Sequence, residues 1–156
     1  MVKKYVFGTP IETDAVVKEI KETSWKDDIF QKEGNVFHYL LKTDEIVYGL
    51  GENVRGINKR GWRYVSNCSD NPNHCEHTNS LYGAHNFIMM GDGVSETYGL
   101  FVDTPGTVTF DVGYTDIDRL IIAMENENYK IYLIEGQTYQ DVVREFREMI
   151  GRSYIA

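Results

Sequence analysis

Apolar positions in this chain fall in short clusters closed by glycine, not in long stripes. Ile46-Val47-Tyr48-Gly49-Leu50 stops at Gly51, and Trp62-Arg63-Tyr64-Val65 follows Gly61. Phe87-Ile88-Met89-Met90 ends at Gly91-Asp92-Gly93, and Tyr98-Gly99-Leu100-Phe101-Val102 ends at Asp103-Thr104-Pro105-Gly106. Runs of this length bounded by turn residues read as strands. Thr107 to Val112 alternates with period two, placing Val108, Phe110 and Val112 on one face, the mark of a half-buried strand. Leu120–Met124 and Lys130–Glu135 continue the succession. Asp28 to Leu41 reads as a hairpin through Glu33-Gly34-Asn35, with Val36, His38 and Leu40 on the face opposite Phe37, Tyr39 and Leu41.

Only one helix is well signed. Thr138 can cap it, Asp141 stands where a capping box needs an acid, and Gly151 supplies the stop. Val142, Val143, Phe146 and Ile150 recur at helical spacing between them. Asp14 to Lys21 carries Val16, Val17 and Ile20 at helical spacing over two turns, which leaves helix and strand both open. Strands without intervening helices predict a mainly β fold, an antiparallel sandwich with one C-terminal helix.

Length and composition narrow the class. The chain has 156 residues, 42% hydrophobic and 26% charged, as in an ordinary globular domain. One domain over 1–156 is predicted, without linker or repeat. A domain of this size buries roughly 70% of its unfolded surface and needs no disulfide or metal to fold. A net charge of −8 argues against nucleic acid and against an anionic membrane face. The basic pair at Lys3-Lys4 lacks a following apolar stretch, so no signal peptide is predicted and the expected location is cytoplasmic.

The most unusual segment is Ser66 to Ser80, polar throughout. It cannot supply a face to the core, and long loops of this kind in compact domains are usually functional or disordered. With the turn-rich Gly51–Gly61 segment it flanks the Trp62 strand, and the two can emerge on one end of a sandwich. Cys68, His74, Cys75 and His77 are metal-ligand types, but Cys-x6-Cys is not a finger spacing. A structural zinc is thus the sharper reading and a solvated loop with free thiols the plainer one; no metal and no cofactor is predicted. Asp70, before Asn71-Pro72, is by residue type a turn former. Its sharper reading is a loop carboxylate able to accept hydrogen bonds from a polar ligand such as a sugar. Trp25 and Trp62 can stack on sugar rings or pack in the core. His85, beside Asn86, reads as a satisfied polar residue before it reads as a base.

Several phrases, taken in order, resemble a known family. They are Tyr48-Gly-Leu-Gly-Glu52, Asn58-Lys-Arg-Gly-Trp62, Leu81-Tyr-Gly-Ala-His-Asn-Phe87, Tyr98-Gly-Leu-Phe-Val-Asp103 and Ile150-Gly-Arg152. Together they resemble the N-terminal domain of α-glucosidases of glycoside hydrolase family 31, most closely bacterial, gut-type members. The resemblance implies a galactose-mutarotase-like sandwich placed before a (β/α)8 barrel that holds two catalytic aspartates. It implies retaining hydrolysis of terminal α-glucosidic bonds by the full-length enzyme, through a glycosyl-enzyme. A barrel needs ~250 residues, so none fits here and no catalytic residue is expected in this chain. In the family, an N-terminal loop reaches the rim of the sugar pocket and its Asp binds substrate hydroxyls. By its place between the Trp62 strand and Leu81-Tyr82-Gly83, Asp70 is the matching residue.

The partners implied are an α-glucoside or oligosaccharide and the downstream barrel, and a bared docking surface implies self-association of the domain alone. The runner-up is a stand-alone carbohydrate-binding sandwich. A mutarotase-like isomerase using His38 or His85 is a third reading, from fold analogy.

Overall fold

The computed structural model describes residues 1–10, 15–49, 60–66, 86–104 and 106–151. Ten strands and one helix follow in order: β1 (Val2–Phe7), β2 (Gln31–Glu33), β3 (Val36–Leu40), β4 (Tyr48–Gly49), β5 (Trp62–Ser66), β6 (Phe87–Gly91), β7 (Thr97–Asp103), β8 (Val108–Val112), β9 (Arg119–Met124), β10 (Tyr129–Gly136) and α1 (Tyr139–Ile150). They form two five-stranded sheets ordered β1-β10-β7-β6-β4 and β2-β3-β9-β8-β5. All strand pairs within them are antiparallel.

The predicted sandwich is therefore the observed one, and the reason is visible in burial. On β8 the alternating Val108, Phe110 and Val112 are fully buried; on β3 Phe37 and Tyr39 face inward while Leu40 is exposed. Inward residues from both sheets form one cluster with Ile88, Leu100, Val102, Leu120, Ile122, Ile131 and Leu133. Each such side chain contributes about 1.5–3 kcal/mol on burial.

Strand β10 is buried along both faces over its first six residues. Its outer face meets α1, where Phe87, Phe101, Tyr132, Ile134, Val142, Phe146 and Met149 form a second cluster. Phe87 and Phe146 stack with ring centres 3.9 Å apart. The predicted helix ends hold: Thr138 Oγ1 accepts from the Asp141 N–H, Asp141 accepts in return from the Thr138 N–H, and Gly151 closes the helix at φ 67°.

One expectation changes. Residues 15–21 form neither helix nor strand. Val16 and Ile20 pack on the α1 cluster, and the Val17 N–H donates to Met149 O. Their helical spacing reflects contact with a helix, not membership in one. The chain then pairs Glu22 with Lys4 beside β1, and Trp25 fills the sandwich edge against Tyr5, Phe7 and Phe37. Strand β1 itself carries Lys3 and Lys4, which an edge strand tolerates.

The sandwich has two distinct ends. At one, Asn35 Oδ1 accepts from Tyr129 Oη at 3.1 Å and Asn35 O accepts from the Met124 N–H, while Asn128 Oδ1 accepts from the Thr9 N–H and Thr107 O from the Glu125 N–H. Burial raises the Tyr129 phenol to about 12. At the other, Glu45 joins the turns at 41–47 and 91–96, and Arg60 adds the one at 113–118.

Candidate functional site

Asp70, the sequence-predicted binding residue, lies outside the described residues, as do Cys68, His74, Cys75, His77 and His85. The structure instead describes the two roots of the segment that carries Asp70. On the near side, β5 runs antiparallel to β8 until Ser66 stands opposite Val108. On the far side, Phe87 opens β6 opposite Phe101. Both roots are thus at the Asn35 end, because Val108 opens β8 there and Phe101 lies two residues before the end of β7.

Asn86 ties the far root down. Its Nδ2 donates to Val102 O at 3.2 Å. Its Oδ1 is buried without a hydrogen-bond partner. A buried amide oxygen left so is costly, and it marks this root as a place with acceptor capacity to spare.

The glycines of the motif phrases have physical causes here. Gly49 on β4 sits at φ 117°, and a Cβ there would lie 2.4 Å from Phe87 O. Only glycine lets the edge strand come this close to β6. A Cβ on Gly99 would lie 2.6 Å from Val142 Cγ1, so this glycine seats α1 on the sheet. Gly49 stands opposite Ile88, next to the far root at Phe87. At the other end of β5 the Gly61 N–H donates to Val112 O, at the Glu45 end. The two polar segments therefore join β5 at opposite ends, not at one.

The other candidates separate. Trp25 is a packing residue whose Nε1 donates to Asp27 Oδ1 at 2.8 Å. Trp62 is 46% exposed, at the Glu45 end, away from the Asp70 roots. His38 lies on the outer face of the second sheet, its cross-strand neighbours being Gln31 and Ile121. Asp111, one strand further, accepts from the Tyr114 and Thr115 N–H groups and from Thr115 Oγ1. His38 Nδ1 is buried without a hydrogen-bond partner. Among the described residues no cluster of His, Cys, Asp or Glu has the makings of a metal site.

The described residues form a two-sheet antiparallel sandwich with a helix on one outer face, and the two roots of the Asp70 segment lie at one end of it. The profile of the glycosyl hydrolase 31 N-terminal galactose mutarotase-like domain matches residues 8–111, and the chain belongs to that family. It is 29% identical over 116 residues to an α-glucosidase of Saccharolobus solfataricus, which covers 74% of this chain and 16% of that protein. It is 30% identical over 110 residues to an α-xylosidase of Lactiplantibacillus pentosus, 69% of this chain and 13% of the relative. Among solved structures it shares its fold with a cycloalternan-degrading enzyme of Trueperella pyogenes in complex with isomaltose, at TM-score 0.62, 20% identity, and 85% of this chain against 21% of that one. A GH31 dextranase of Flavobacterium johnsoniae complexed with glucose gives TM-score 0.58 at 22% identity, covering 84% and 16%. The chain thus spans well under a quarter of the length of these relatives.

Proposed function

We propose that this domain is the non-catalytic N-terminal sandwich of an α-glucosidase and lends the Asp70 segment to the rim of the sugar pocket. The bond cleavage itself belongs to a (β/α)8 barrel in the same polypeptide. The observation that carries the reading is the common placement of Ser66 and Phe87, the two roots of the Asp70 segment, at the Asn35 end. A carboxylate held there accepts hydrogen bonds from sugar hydroxyls, a charged bond whose loss costs roughly 1.5–3 kcal/mol.

In the barrel-bearing enzyme, Asp70→Ala is expected to lower kcat/KM on p-nitrophenyl α-glucoside by about ten- to a hundredfold, with the melting temperature nearly unchanged. An unaltered kcat/KM removes Asp70 from the pocket. Parallel assays with the α-xyloside decide which sugar the enzyme prefers. The 156-residue chain alone is expected to release no p-nitrophenol. Calorimetric binding of isomaltose by this chain alone would instead favour the stand-alone carbohydrate-binding module.

A further inference from the structure

The two roots of the Asp70 segment are held in different ways. Ser66 ends β5, an outermost strand that pairs with β8 alone among the described strands. Val65, just before it, is 55% exposed. Phe87 opens β6, which lies between β7 and β4. Its ring stacks on Phe146 of α1, and its backbone stands opposite Phe101 of β7. Its carbonyl lies so close to Gly49 of β4 that no side chain fits between them. One root is therefore an edge, and the other is clamped by β4, β7 and α1.

Asn86 stands between that clamp and the segment. Its Nδ2 donates to Val102 O at 3.2 Å, which ties the side chain to β7 one residue before the β6–β7 ladder begins. Its Oδ1 is buried and has no hydrogen-bond partner. Exchanging the two amide atoms relieves nothing, because it sets an oxygen against the Val102 carbonyl and leaves the nitrogen unpartnered. Buried polar atoms are nearly always paired, so an acceptor left open at the root of a segment points to a donor outside the sandwich.

Resting on the reading of Asp70 above, we infer that Asn86 is the positioning residue of the Asp70 segment. One end of its amide is fixed to β7 and the other accepts a hydrogen bond from the segment. The clamped root, and not the edge root at Ser66, thereby sets where the Asp70 carboxylate stands. Asn86 acts through Asp70 and not on the sugar. Placement of this kind matters, since a shift of about 1 Å in a positioning group can cost on the order of a hundredfold in rate.

A double-mutant cycle in the barrel-bearing enzyme tests this. Asn86→Ala is expected to lower kcat/KM on p-nitrophenyl α-glucoside by about three- to tenfold. In the Asp70→Ala background the same substitution is expected to change it by less than about twofold, since the group it positions is gone. Asn86→Leu, of similar size, removes both polar atoms while keeping bulk at the root, and reads the same loss where the alanine variant does not fold. Val65→Ala, at the edge root, is expected to stay within about twofold of wild type. Equal losses from Asn86→Ala with and without Asp70 overturn the proposal, because Asn86 then acts through the fold. Wild-type kcat/KM in the Asn86 variants overturns it as well, and so does a Val65→Ala loss as large as theirs. If Asp70→Ala impairs the enzyme and the Asn86 variants do not, only the role of Asn86 falls; if Asp70→Ala is itself without effect, the reading of Asp70 falls and takes the role of Asn86 with it.

Discussion

Glu45 shows how much one buried side chain can organise. It is only 6% exposed, and three donors, the Tyr39 hydroxyl and the Lys42 and Gly91 N–H groups, satisfy its carboxylate. Burial, then the hydrogen bond to Glu45, pushes the Tyr39 phenol far above its ordinary range. Glu45→Ala strands the Tyr39 hydroxyl and the Gly91 N–H in the interior. The expected cost is about 2–4 kcal/mol by urea denaturation, with Glu45→Gln costing less because it keeps an acceptor oxygen. Gly99→Ala is expected to cost about 1–3 kcal/mol for a different reason, the overlap of the new methyl with Val142 and Phe87. If Gly99→Ala melts like wild type, α1 is not seated as closely as the geometry places it.

At the scale of elements, legibility followed the physics of exposure. β8 alternates because one of its faces is largely core and the other mixed, so period two survives in the sequence. β10 is legible as an apolar run, but that both faces are covered follows only once α1 is laid on it. The helix was readable end to end because capping is local: Thr138 and Asp141 act within the first turn, and Gly151 closes the last turn on the carbonyls of Arg147 and Glu148. β1 was not readable, since its lysines sit at an edge where Lys3 pairs with Glu135 at 3.2 Å. Residues 15–21 misled because their partner is a helix more than a hundred residues away. Of the candidate site, the sequence showed that a polar segment joins two strands; which end it leaves from depends on the β5–β8 and β6–β7 registers, which are long-range. Thr138→Ala is expected to cost ~1 kcal/mol through the lost cap. Acid tests the caps together. Hydrogen bonds from backbone N–H groups lower the pKa of Asp92, and those from Thr138 lower that of Asp141, both below the ordinary 3.8. A depressed carboxylate contributes stability that is fully present above its unfolded pKa and lost as pH falls through the folded one. Stability is therefore expected to hold down to about pH 4 and to drop below it, and Asp92→Asn should flatten that drop in a pH series of urea melts.

At the scale of the molecule, the question is whether two clusters make one cooperative unit. The inter-sheet core and the helix-side cluster are built from alternate residues of the same strands: Leu133 faces one and Tyr132 and Ile134 the other. Removing α1 uncovers β10 and β7 from outside, and separating the sheets uncovers them from inside. The segment from Ala15 to Phe30 adds a second tie, since it touches α1 at Met149, β1 at Lys4 and the inter-sheet core at Trp25 and Phe30. Neither cluster can open while the other keeps its strands in place, so unfolding should be a single transition. The two tryptophans report on it from different places: Trp25 fills the β1 edge, and Trp62 starts β5 at the Glu45 end. In urea, the fluorescence of Trp62→Phe, which leaves Trp25 as sole reporter, is expected to coincide with the far-ultraviolet dichroism of the sheets and helix. A fluorescence midpoint well below the dichroism midpoint would mean that the 15–30 segment detaches first, and that the sandwich closes its edge without it.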